Sequence, residues 1–114
     1  MSDGAQRQAF KQRVHHWADK LDVEVNWLGV RPMKNKWASC STQGNLNFNE
    51  ELLSMDGEIW DYVIVHELLH FYVPNHGRLW KSLMRAHLGE YERVEKQLKK
   101  PDLQRVAQSG ADDL

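Results

Sequence analysis

Val65-His66-Glu67-Leu68-Leu69-His70, followed after five residues by His76 in Pro74-Asn75-His76-Gly77, anchors everything else in this chain. On a helix, residues four apart share a face about 6 Å along the axis, so His66 and His70 point the same way. Two imidazoles at that spacing grip one tetrahedral Zn²⁺, and Glu67, about 100° round the helix from His66, reaches towards its open position. With His76 as third ligand, a fourth position stays available for water, which is the mark of a catalytic rather than a structural zinc site. Chance is a poor explanation. Given six His and eight Glu in 114 residues, a shuffled chain contains roughly 0.02 such motifs, and fixing the third His lowers that about twentyfold. A purely structural origin would place three polar rings where a helix wants leucine.

Outward from this stretch, the chain is long enough for one domain with a modest core, which we place at residues 1–100, leaving 101–114 as a polar tail. Fifteen basic and sixteen acidic residues nearly cancel, so no global field draws the protein to nucleic acid or to a membrane surface. Cys40 stands alone, which excludes an internal disulfide and fits a reducing compartment. The polar N-terminus and the lack of a long apolar run lead us to expect a soluble, cytoplasmic protein.

Hydrophobic spacing supplies the elements. Phe10, Val14, Trp17 and Leu21 form one stripe of an amphipathic helix over residues 5–21, and His15 and His16 fall on its surface. Val23, Val25 and Trp27 then alternate with polar residues and predict a strand running on to Val30. After Arg31-Pro32, Trp37 to Ser41 predicts a second strand, Thr42-Gln43-Gly44-Asn45 a turn, and Leu46 with Phe48 a third strand. The expected sheet is small and antiparallel, with a hairpin at Gly44. A helix starts near Asp56 or Gly57, with Ser54 or Asp56 as N-cap and Glu58 and Asp61 favouring its positive end. Trp60, Ile64, Leu68 and Phe71 are its core stripe, and Ile59, Tyr62, Val63 and Leu69 make it apolar almost all round. Pro74 ends that run, so the chain turns and brings His76 back over the metal. A helix over 77–88 carries Leu79, Trp80, Leu83 and Met84 at core spacing and stops at Gly89. Its other face, Arg78, Lys81 and Arg85, reads as solvated. A last helix, Glu90 to Lys100, turns Tyr91, Val94 and Leu98 inward and ends at Pro101.

Arg31-Pro32-Met33-Lys34-Asn35-Lys36-Trp37-Ala38-Ser39-Cys40-Ser41, then Asp61 to His70, then Pro74-Asn75-His76-Gly77-Arg78-Leu79-Trp80, resembles the YgjP-like family of zinc-dependent metallohydrolases, relatives of SprT-like zincin peptidases. The likeness spans roughly residues 31 to 98. It implies an α+β, minimal zincin-like fold: an N-terminal helix, a small antiparallel sheet of about three strands, the HExxH helix and C-terminal helices. It also implies zinc on His66, His70 and His76, with Glu67 as base. Ala38 stands where that family usually has glycine. Val73 takes the glycine position of the metzincin pattern, so the spacing of the third histidine does not place the chain in that clan.

The chemistry expected of such a site is hydrolysis. Zinc lowers the pKa of a bound water towards about 7, and Glu67 takes and returns the proton. Tyr72, Asn75, Arg78 and His87 are candidates for stabilising the oxyanion. The leading reading is a metallopeptidase-like enzyme acting on a peptide or protein. An alternative is a nucleoside triphosphate pyrophosphatase, in which Arg31, Lys34 and Lys36 hold phosphates. A second alternative is a non-catalytic, zinc-stabilised interaction module. Cys40 beside Ser39 reads as packing rather than as a nucleophile.

Overall fold

The computed structural model describes residues 2–98 apart from 35, 42 and 74. The order is α1 (Ser2–Leu21), β1 (Trp27–Arg31), β2 (Ala38–Cys40), β3 (Asn45–Asn49), a short 3-10 helix (Glu50–Ser54), α2 (Gly57–Leu69), α3 (Arg78–Leu88) and α4 (Glu92–Leu98). This is the expected α+β class. The expected end of the last helix at Pro101 and the polar tail at 101–114 lie outside the described residues.

The stripe predicted for α1 is buried, with Phe10 and Val14 fully so. Phe10 meets Phe48 of β3 and Trp60 of α2 edge to face, with ring centroids 5.0 and 5.2 Å apart. One aromatic ring thereby joins helix, sheet and central helix. Asp61 fastens α1 to α2: Arg13 donates to both its oxygens (2.7 and 3.0 Å), and the Trp17 indole donates to Oδ1 (2.8 Å). The hydrogen bond to Asp61 raises the Arg13 pKa above its ordinary value. Helix α1 ends in a Schellman motif: Val23 N–H donates to Ala18 O and Asp22 N–H to Asp19 O, with Asp22 at φ 59°.

The sheet departs from the expected arrangement in one respect. Strands β2 and β3 form the antiparallel hairpin around Gly44, whose φ of +91° favours glycine. Strand β1, however, lies on the other side of β3 and runs parallel to it, giving the order β1-β3-β2 and a mixed sheet. Asn49 accounts for this. Its fully buried side chain donates to Met33 O (3.1 Å) and Lys36 O (3.0 Å). The loop crossing from β1 to β2 is thus pinned at the end of β3 and cannot fold back as a simple meander. The same side chain caps the 3-10 helix by accepting from Glu51 N–H (3.0 Å). We expect Asn49→Ala to lower the unfolding free energy by about 2 kcal/mol, since it strands two carbonyls and a cap. A urea titration showing a loss below about 0.5 kcal/mol would contradict this account of the crossing loop.

Strand β1 also starts later than predicted and in the opposite phase. Asn26 donates from its backbone to Gly44 O (2.8 Å) and from its side chain to Gln43 O, which fixes the entry to the strand. Val30 and Gly29 are consequently buried, whereas Trp27 is 53% exposed. The Trp27 ring lies over Gly29, where an added Cβ would sit 2.3 Å from it. Val23 and Val25 still pack on the core, but outside any strand.

Helix α2 is the most enclosed element: Ile59 and every residue from Tyr62 to Leu69 are buried. Its sequence is apolar almost all round, as a helix covered on all sides requires. Asp56 occupies the N-cap position, in extended conformation and without a side-chain capping bond. In α3, Trp80 and Met84 point inward, but Leu79 is 60% exposed, contrary to the predicted core stripe. Gly89 closes that helix, its N–H donating to Arg85 O. Tyr91, Val94 and Leu98 are buried as predicted.

Candidate metal centre

Two of the three histidines belong to α2 and its end. His66 lies in the buried last turn, and His70 is the C-cap residue, half-buried. Beyond it the chain turns, with Val73 N–H and Tyr72 N–H donating back to Leu69 O. Pro74, expected to force that turn, lies outside the described residues. Asn75 then accepts from Gly77 N–H through its side chain (2.9 Å), and His76 is returned to α2 just before α3 begins.

The result is convergence. Ring centroids of His66, His70 and His76 lie 4.7 to 5.1 Å apart, and one nitrogen from each falls within 4.8 Å of the others. His70 Nε2 and His76 Nε2 are 3.1 Å apart. Nitrogens about 2.0–2.1 Å from a tetrahedral zinc are about 3.3–3.4 Å from one another, so this spacing fits two ligands of one ion. His70 Nδ1 is 3.3 Å from Val73 O, the backbone contact that fixes a ligand ring's tautomer and leaves Nε2 for the metal. His66 is 2% exposed, and its pKa is pushed well below the ordinary value by burial and then by His70 and His76. It is therefore neutral, the form that coordinates metal. Its Nδ1 is buried and lacks a hydrogen bond. The residues present thus fit a divalent cation.

This depressed pKa gives a stability prediction for the metal-free protein. Below about pH 6.5 an unfolded His66 binds a proton that the folded one refuses, so stability falls as pH falls. The thermal midpoint of chelator-treated protein should drop between about pH 7.5 and about pH 5.5, and His66→Asn should flatten the profile. A profile equally steep in both proteins would contradict the assignment.

Glu67 is fully buried, with Oε2 3.5 Å from His66 Nδ1. The other sequence candidates have local duties. The Tyr72 hydroxyl donates to the carbonyls of Leu21 and Asp22 at the end of α1. Asn75 makes its own turn, His87 packs against the Trp17 ring of α1, and Arg78 is exposed. Arg31 and Lys34 are exposed as well. Cys40, half-buried, lines a cavity of about 150 Å³ with Ser41, His70 and Phe71.

Aromatic walls are what sequence reasoning missed. Trp80, read only as core, stands 5.0 Å from the His66 ring and 4.5 Å from the His76 ring. Its core spacing with Met84 predicted the burial of Trp80, but no local pattern relates it to His76, which precedes α3.

Residues 3–101 match the YgjP-like metallopeptidase domain. The chain belongs to the YgjP-like family. The match takes in α1 as well as the segments around the histidines. An uncharacterized protein of Methanocaldococcus jannaschii is 35% identical over 83 residues, covering 69% of this chain and 74% of its own. The metallopeptidase zymogen jannalysin of the same organism has a similar structure, with a TM-score of 0.69 and 32% identity over 79% of this chain and 91% of its own. The metallopeptidase zymogen abylysin of Pyrococcus abyssi shares the fold, with a TM-score of 0.70 at 23% identity over 86% of this chain and 98% of its own. The chain is thus a metallopeptidase-family enzyme with an α+β fold. No helix among the described residues is long and apolar enough to cross a membrane.

Proposed function

We propose that the chain is a zinc peptidase in which His66, His70 and His76 hold the metal and Glu67 is the general base. The observation that carries this is the convergence of three imidazoles with a buried carboxylate on the adjoining residue. Zinc in such a site supplies a Lewis acid that polarises the scissile carbonyl and acidifies water at neutral pH. The Glu67 carboxylate accepts a proton from the attacking water and delivers it to the departing amine. Val73 O keeps the His70 ring in one orientation throughout. Burial around His66 and Glu67 excludes bulk solvent and strengthens every charge interaction there.

A peptide substrate suits the surroundings. Strand β2 is an edge of the sheet and packs against α2, and an extended chain adds to such an edge through main-chain hydrogen bonds. The cavity between β2 and His70 has room for one small side chain. We take residues 1–100 as one domain with 101–114 as a tail, and a kinship with SprT-like zincins is part of the same reading. A cytoplasmic location accords with the lone cysteine.

The test sets an unfolded protein and a panel of nucleoside triphosphates in parallel against zinc-loaded enzyme. New peptide termini detected by mass spectrometry, abolished by a chelator and restored by zinc, are the expected outcome. Phosphate or pyrophosphate release without peptide cleavage would replace the proposal with the pyrophosphatase alternative. Turnover of neither, with zinc bound, would point to the interaction module.

A further inference from the structure

His66 lies within α2 and His70 caps it, whereas His76 stands away from α2, between its end and the start of α3. What touches it from α3 is Trp80, 2% exposed, whose ring is tilted 43° to that of His76 at 4.5 Å and set edge to face, at 77° and 5.0 Å, against His66. Trp80 is itself braced. It meets Tyr91 edge to face at 6.0 Å, Tyr91 stacks on Tyr62 at 6.2 Å, and Tyr62 lies 5.7 Å from His66. The contacts form a closed circuit through α2, α3 and the residue leading into α4. Aromatic rings in such arrangements have preferred relative orientations, so the circuit restricts the plane of the His66 ring, which belongs to it, and through Trp80 that of the His76 ring set against it.

Resting on the zinc-peptidase reading above, we propose that Trp80 is a positioning residue, which with Tyr91 and Tyr62 fixes the rings of His66 and His76 and thereby sets the affinity of the site for zinc. The indole acts through the ligands and does not touch substrate. Trp37 provides the internal comparison. It too is buried, and its indole nitrogen likewise lacks a hydrogen bond, yet among the described residues it makes no ring contact with the three histidines. Replacing either tryptophan disturbs the core, but only one replacement frees the ligands.

The experiment measures zinc affinity by competition with a chromophoric chelator, and the visible spectrum of the Co²⁺-substituted protein, for the full chain and for Trp80→Leu, Trp80→Phe and Trp37→Phe. Circular dichroism establishes folding in each case. We expect Trp80→Leu to bind zinc about 10–100-fold more weakly, the usual effect of removing support for a ligand ring, and to show a weakened Co²⁺ band. Trp80→Phe should fall between it and the unaltered chain, and Trp37→Phe should keep full affinity. A folded Trp80→Leu protein with unaltered affinity and spectrum overturns the proposal. If that variant does not fold, Trp80→Phe decides, and full affinity there overturns it equally. Equal losses in Trp37→Phe and Trp80→Phe also overturn it, because the effect would then be general loosening of the core. An unaltered chain that binds no zinc would instead remove the reading of the site itself.

Discussion

Glu67→Gln should lower kcat for peptide hydrolysis by about 10²–10⁴-fold while leaving zinc bound, the range expected when a general base is removed from a positioned site. The substitution keeps the shape of the side chain and takes away only its capacity to accept a proton. Glu67 is fully buried beside His66, so no solvent-borne base has easy access to replace it. KM should change little, because the carboxylate acts on water rather than on the bound chain. Active-site titration with a tight zinc-directed inhibitor, combined with steady-state kinetics, separates the two constants. Retained kcat at full zinc content would mean that the proton goes elsewhere. Peptide cleavage absent from both proteins, with cellular function intact in the variant, would favour a non-catalytic module.

The largest effect on stability is expected from Phe10→Ala. Phe10 is fully buried in α1 and meets Phe48 and Trp60 edge to face. Truncating a core phenylalanine costs about 3–5 kcal/mol through lost transfer energy and the cavity left behind. Two aromatic pairs are lost with it, each worth about 0.5–1.5 kcal/mol beyond the buried area. Domains of this size are stable by only about 5–15 kcal/mol, so the variant should be close to its unfolding threshold near body temperature. Urea unfolding followed by tryptophan fluorescence gives the number. A loss below about 1 kcal/mol would show that α1 is peripheral to the core rather than part of it.

Phe10 also illustrates how much the sequence reveals. Its stripe with Val14, Trp17 and Leu21 repeats at the helical period, and period alone is enough to say which face is buried. The closeness of the histidines was legible for a similar reason: His66 and His70 are one helical turn apart, and the structure brings the ring of His76 to them across the turn after α2. The β2–β3 hairpin needed only the turn chemistry around Gly44. What escaped depends on partners distant in sequence. Asn49 reads as one more polar residue in an alternating strand, yet it is fully buried and holds the loop that turns the sheet from antiparallel to mixed. Trp27 reads as inward because Val23 and Val25 precede it, but the bonds from Asn26 to Gln43 and Gly44 reset the alternation. Asp61 reads as a residue favouring the helix dipole, whereas its carboxylate joins α1 to α2 through Arg13 and Trp17. Tyr62 and Tyr91 belong to separate elements, and nothing local announces that they stack on one another beside His66.

The central claim is that three imidazoles take a single zinc ion. Its most direct test is the metal content and zinc affinity of the purified protein and of His66→Ala, His70→Ala and His76→Ala. One zinc per chain in the unaltered protein, with each substitution weakening binding by at least about tenfold, is the predicted result. A His76→Ala protein that keeps its zinc at undiminished affinity would contradict it.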